Sequence, residues 1–355
     1  MPATAFAACS TPVCTCPRSG RTTPRGEKNY IPDEIKFQTK PQIALDLVDR
    51  ALANGIRVQA WTFDELYGRD GQFLDGLDKR GEAFIGEVPP NFHVWLSKPT
   101  ALRFPPKNGA GRQANYPRLA RRDAHPSEVK NLARYSPGFT EQTPQQYRIK
   151  DTCHGPEVWE IQWHVCWRKT HGGGLISRQG TLIVARNVLT DETKYFFSNR
   201  VPGTDGWTLR DLLRVAFARW QVEACFREVK EELGWDHFEC RGWRCIHRHL
   251  YVTILSALFC ARVRQKLSPS ELVTSGELLT LEQVRRAADV FLDTLDLPPK
   301  QRQQRCQAEL DRQHYHQRRN AAATRSHRKT RLQRLHNLGI DPDQIKSVPP
   351  KPPPC

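Results

Sequence analysis

The stretch Ile56-Arg57-Val58-Gln59-Ala60-Trp61-Thr62-Phe63-Asp64 decides how this chain is layered. Its apolar and β-branched residues predict a strand over 56–63 that stops at Asp64. Before it, Lys40-Pro41 leads into a helical repeat of Ile43, Leu45, Leu47, Val48, Ala51 and Leu52, ended by Asn54-Gly55. After it, Gly68-Arg69-Asp70-Gly71 turns into a helix carrying Phe73, Leu74 and Leu77. A second strand is predicted over 83–88, closed by Pro89-Pro90. Helix, strand, helix and strand joined by short links predict an α/β layer with parallel strands.

Farther out the pattern changes. Residues 1–27 are poor in apolar side chains, rich in Pro, Thr, Ala and Arg, and read as a disordered start. From residue 90 to about 150 the chain is Pro-, Arg- and Lys-rich and weakly patterned, as loops over a basic surface would be. The segment Val158-Trp159-Glu160-Ile161-Gln162-Trp163-His164-Val165-Cys166-Trp167 then alternates with period two. Runs at 181–185 and 194–197 follow, with Gly172-Gly173-Gly174 in the first turn, so an antiparallel meander is predicted as an insertion. A long helix is predicted over 207–233, stopped by Gly234, a second over 247–267 and a third over 278–295. The resulting division is 1–27, 28–90 (α/β), 91–205 (basic loops and β insertion), 206–298 (helical) and 299–355 (a basic, Pro-ended tail).

With 355 residues and a net charge of +16, the chain favours an anionic partner, most often nucleic acid. An anionic membrane surface is the rival. The longest apolar run, 250–261, is too short to span a bilayer, so no membrane partner is expected. No secretory signal is visible, and a cytoplasmic location is expected. Eleven Cys occur without repeated pair spacing. Cys9, Cys14 and Cys16 cluster near the start, and Cys240, Cys245, His247 and His249 form the other group. Neither shows the two paired ligand spacings of a zinc site, and reduced thiols are expected. The Arg-dense segment 300–334 reads either as a phosphate-binding arm or as a solvated helix.

Two carboxylates stand out. Asp64 closes a predicted strand at its carboxyl end, where ligands gather in open α/β sheets, although a helix N-cap is the plainer reading. In the stretch Arg219-Trp220-Gln221-Val222-Glu223-Ala224-Cys225-Phe226-Arg227-Glu228-Val229-Lys230, Glu223 shares a helix face with Arg219, Arg227 and Lys230. Leu213, Phe217, Trp220 and Ala224 form an apolar stripe on another face. An amphipathic helix laced with ion pairs explains this as well as a site does. Were Asp64 and Glu223 to meet, they would suit Mg²⁺-assisted phosphoryl transfer, with Arg219 and Lys230 on neighbouring phosphates.

The residues also carry a resemblance. Arg219, Glu223 and Lys230 stand at the gaps of a Tyr-Arg-Glu-Lys signature, with Ala216 where the Tyr would be. Leu233-Gly234-Trp235-Asp236-His237-Phe238-Glu239-Cys240-Arg241-Gly242-Trp243, Phe37-Gln38-Thr39-Lys40-Pro41 and Phe63-Asp64-Glu65-Leu66-Tyr67-Gly68 extend the likeness over roughly 28–265. The chain resembles bacterial insertion-sequence transposases of the DDE class, endonucleases of the RNase H-like superfamily. That resemblance implies an RNase H-like core with a β insertion, and DNA nicking and strand transfer with Mg²⁺ or Mn²⁺. Its partners would be double-stranded DNA at transposon ends and a full-length transposase copy in a homodimer. Asp64 and Glu223 would be the second and third metal carboxylates, and Arg219 and Lys230 DNA-phosphate contacts.

The family's first Asp finds no counterpart. Only about 40 residues precede the helix at Pro41, and they offer only Asp33, in a Pro-flanked loop, and no alternating run. The expectation is therefore an N-terminally truncated, catalytically impaired copy lacking its leading strands, with weak metal binding and an exposed sheet edge. A non-catalytic DNA-binding fragment that modulates a full-length transposase is the alternative, and a decayed product without function is the third.

Overall fold

The computed structural model describes residues 31–32, 34–102, 118–120, 125–171, 176–204, 206–267 and 279–348. Residues 1–27, Asp33 and Gly172-Gly173-Gly174 lie outside them. The chain divides into two compact units, Met1–Ile56 with Trp220–Ala323 and Arg57–Arg219 with Thr324–Cys355.

Helix α1 (Lys40–Ala53) opens where the sequence predicts. The Gln42 N–H donates to the Thr39 hydroxyl and the Thr39 N–H donates to the Gln42 side-chain oxygen, a reciprocal capping box with Pro41 in the first turn. The following short helices, α2 (Glu65–Gly68) and α3 (Gly71–Lys79), are each capped by an Asp, Asp64 and Asp70. Strands β1 (Ile85–Val88), β2 (His93–Trp95), β3 (Ala101–Leu102), β4 (Arg118–Leu119) and β5 (Ser127–Glu128) come next. Helices α4 (Val129–Tyr135) and α5 (Pro137–Thr140) precede β6 (Gln145–Thr152), β7 (Gly155–Arg168), β8 (Gly180–Asn187) and β9 (Thr193–Ser198). The chain continues through α6 (Leu209–Ala218), α7 (Trp220–Leu233), α8 (Trp243–Leu267), α9 (Leu281–Asp293), α10 (Pro299–Asn337) and β10 (Lys346–Ser347).

The second unit is built on one mixed sheet, ordered β1-β9-β8-β7-β2-β5, with β6 on β7 and β10 on β6. Ladders β6–β7, β7–β8, β8–β9 and β9–β1 are antiparallel, and β10 runs parallel to β6. Alternation sends Ile161, Ile183, Ala185 and Phe196 to one face, where they meet Leu212, Leu213 and Ala216 of α6. On α3, Phe73, Leu74 and Leu77 are buried, and the Phe63 ring meets Phe73 edge-on at 5.1 Å.

Several expectations are corrected. The strand expected over 56–63 shrinks to its end. The Trp61 N–H donates to the Ala83 carbonyl (2.8 Å), the Ile85 N–H to Trp61 (3.0 Å) and the Glu87 N–H to Phe63 (3.1 Å). That is parallel pairing, as expected, but over one short row. Among the described residues, no strand lies beside Ile56 or Val58 to complete a ladder. The meander shares one sheet with the α/β rows, since β1 pairs directly with β9. The 61–63 row lies beside β1, and β10 lies beside β6. Segment 91–150 contains α4, α5 and β6 rather than loops alone. Its apolar residues are few, but Val129, Phe139 and Tyr147 are all buried and fix the elements.

The long helix expected over 207–233 is two, α6 and α7, meeting at Arg219. Neither Gly nor Pro stands at the join. At about 100° per residue, Val229 and Leu233 lie roughly a third of a turn from Leu212, Leu213 and Ala216. Arg219 itself keeps right-handed helical dihedrals (φ −56°, ψ −36°). One buried cluster of the first unit is Cys260, Leu281 and Val284, packed with Leu233, Val263 and Leu279. Gly234 ends α7 at φ +64°, with the Gly234 N–H bonded to the Lys230 carbonyl (3.1 Å), as the sequence predicts.

Candidate functional site

The geometry around Asp64 starts from the paired rows 61–63 and 85–87, which run parallel and place Asp64 at their carboxyl end. Two glycines allow the approach. A Cβ on Gly68 would strike the Glu87 carbonyl, and one on Gly86 would strike the Phe63 ring. Asp64 is partly exposed, and its Oδ1 accepts the N–H groups of Leu66 (3.0 Å) and Tyr67 (3.4 Å). It is thus the N-cap of α2, the plainer of its two readings, at the sheet end where a ligand group would also stand. Burial and then the Asp64 charge raise the Tyr67 hydroxyl above its ordinary pKa.

Asp64 and Arg219 belong to the second unit, Glu223 and Lys230 to the first. On α7, Glu223, Arg227 and Lys230 are all exposed, and Lys230 Nζ lies 3.9 Å from Asp236. Ala216, at the signature's Tyr position, is buried against the sheet. Beyond the join, Trp220 does not continue the buried stripe; it is exposed.

The metal expectation can be tested on donors. Among the described residues, no group of three or more His, Cys, Asp or Glu is placed to hold an ion. One oxygen of Asp64 is already engaged in capping. Of the other cluster, the Cys240 and Cys245 thiols hydrogen-bond each other, whereas the His247 ring meets the Trp243 carbonyl (2.9 Å) and the His249 ring the Gly234 carbonyl (2.9 Å).

Two features escape sequence reading. Arg168 is 1 % exposed, and its Nη2 reaches Asp75 Oδ1 (2.6 Å) and Asp78 Oδ2 (2.7 Å). Asp78 also accepts from Asn199 (2.8 Å) and Asp75 from the His171 N–H (2.6 Å), so a polar knot ties α3 to β7 and the strand end after β9. The only signal was two carboxylates on a short helix that also carries Phe73, Leu74 and Leu77. The second feature is a cavity of about 580 Å³ between α4 and strands β7–β9. Lys130 and Arg134 of α4 face Glu160, Gln162, Arg186 and Tyr195 across it. Arg186 is held by Glu160 (2.6 Å) and Asp191 (3.1 Å), and Lys130 by Glu128 (3.0 Å), so little of this charge is uncompensated. A second cavity, of about 520 Å³, is lined by Gln59, Glu82, Arg200 and Trp207. It lies by the starts of the 61–63 and β1 rows, away from Asp64.

A family model described as DDE superfamily endonuclease matches residues 5–156. The match takes in Asp64 and ends before Arg219, Glu223 and Lys230. It supports a DDE-type, transposase-like nuclease function with DNA as substrate, and the mixed sheet flanked by helices is consistent with a DDE nuclease fold. DDE superfamily endonucleases generally use divalent metals. A comparison with curated proteins finds no match. No helix of the described residues is long and apolar enough to cross a membrane.

Proposed function

We propose that this chain is a DNA-processing protein of the DDE transposase class, of the insertion-sequence group with the Tyr-Arg-Glu-Lys signature. Asp64 and Glu223 are its catalytic carboxylates, and Arg219 and Lys230 its contacts to DNA phosphates. The observation that carries the reading is the family match across Asp64, a residue standing at the carboxyl end of a parallel strand pair. The net charge of +16 supports a polyanionic partner, here double-stranded transposon-end DNA bound by a homodimer with a full-length copy. Mg²⁺ or Mn²⁺ would be the cofactor, weakly bound because the family's first carboxylate has no counterpart in this sequence.

A second reading is favoured by the capping role of Asp64 and by the lack of a three-donor group among the described residues. In it the chain binds DNA without cutting and modulates an active copy. Nicking of supercoiled plasmid separates the two. Catalysis requires Mg²⁺- or Mn²⁺-dependent nicking that disappears in Glu223→Gln while DNA affinity is retained. Salt-sensitive binding with no nicking by the native chain at any metal concentration would leave only the binding reading.

A further inference from the structure

Between Asp311 and Asp341 the chain carries no carboxylate side chain, yet Arg325, Arg328, Lys329, Arg331 and Arg334 fall within it. Helix α10 spans this stretch, and the part after Thr324 belongs to the second unit. A helix polar all round is ordinarily sustained by acid–base pairs three or four residues apart, whereas here Arg325 and Lys329 are like charges at that spacing. Tertiary anchoring compensates. Leu335 is 0 % exposed and packs with Val158 and Ile340. Arg331 Nη1 donates to the Gly155 carbonyl (3.3 Å), and Arg334 Nη2 to the Leu189 carbonyl (3.2 Å). Past the helix, Arg148 bridges Asp343 (2.6 Å), β10 pairs with β6, and the Val348 N–H donates to the Arg148 carbonyl (2.9 Å).

The anchoring uses Arg331 and Arg334 and leaves Arg325, Arg328 and Lys329 exposed, with no carboxylate partner among the described residues. The stem of Arg328 packs over Gly155, where φ is +100° and a Cβ would come within 3.4 Å of Arg328 Cγ. Three cations are therefore presented on a fixed element, so little ordering remains to be done when an anion binds.

We propose that this ridge, Arg325-Arg328-Lys329 over the β6–β7 turn, is a docking surface for the phosphate backbone of duplex DNA, separate from the carboxylates. The proposal rests on the DNA reading above and adds where duplex outside the reacting site is held. Contacts of this kind, to phosphates and not to base edges, position the duplex without reading its sequence.

The test uses the full chain and a fluorescent 30-base-pair duplex of arbitrary sequence, titrated between 50 and 200 mM salt. Each phosphate contact contributes about 0.9 to the slope of log K against log salt. The triple variant Arg325→Gln/Arg328→Gln/Lys329→Gln is expected to lose about two to three from that slope and to melt like the native chain. Neutralising three exposed cations at the opposite end of β7, Lys79→Gln/Lys169→Gln/Arg178→Gln, is expected to leave the slope within about one of the native value. A native slope in the ridge variant, or an equal loss in the control, overturns the ridge while leaving DNA binding intact. No duplex binding by the native chain overturns both readings. Tighter binding to single-stranded RNA or to vesicles rich in phosphatidylserine than to the duplex overturns the choice of partner.

Discussion

Asp64 carries two roles that chemistry can separate. As an N-cap it accepts two backbone N–H groups, which Asn can also do. Asp64→Ala is therefore expected to cost about 1 kcal/mol in urea unfolding and Asp64→Asn less than about 0.5 kcal/mol. Equal losses in both would show that charge, not capping, fixes α2. Arg168 offers a larger effect. Removing it leaves Asp75 and Asp78 facing each other in a largely buried knot, and Arg168→Ala is expected to lose about 3–5 kcal/mol. A loss under about 1 kcal/mol would mean that water replaces the guanidinium. Sequence reading could place Asp64 because strand end and helix start are both local. Arg168 was hidden because its partners lie some 90 residues away and meet it only through the fold.

At the level of elements, local signals were legible and pairings were not. The helix start at Lys40-Pro41, the stop at Gly234 and the alternation of β7 are written in neighbouring residues and appear where expected. The attachment of β1 to β9 and of β10 to β6 depends on residues more than 100 positions apart, and periodicity says nothing about such contacts. The join at Arg219 was missed because neither Gly nor Pro marks it in the sequence. The clasp formed by the end of α10 and β10 makes a separate prediction. Leu335→Ala, truncating a fully buried side chain, is expected to cost about 2–5 kcal/mol by denaturant unfolding. It is also expected to speed hydrogen exchange at the Val348 N–H, which bonds to β6. Unchanged exchange there would show that β10 holds without the helix.

Across the whole molecule, thiol chemistry and charge report on the architecture. Burial pushes the Cys166 thiol far above its ordinary pKa, while Cys153, Cys245 and Cys306 are exposed. Iodoacetamide at mildly alkaline pH is expected to label those three and spare Cys166 until urea unfolds the second unit, as peptide mapping by mass spectrometry would show. Early labelling of Cys166 would contradict the packing of β7 against β8. The functional reading depends on both units, since Asp64 stands in one and Glu223 in the other. Their pairing is proposed only through resemblance, because no local rule links carboxylates so far apart in sequence. The most direct measurement is metal-dependent nicking of supercoiled DNA by Asp64→Asn beside the native chain, with the melting temperature of each recorded. A DDE-type role predicts nicking by the native chain, at least a hundredfold less by the variant, and matching melting temperatures. Equal nicking by both proteins would reduce Asp64 to a helix cap and contradict its catalytic role.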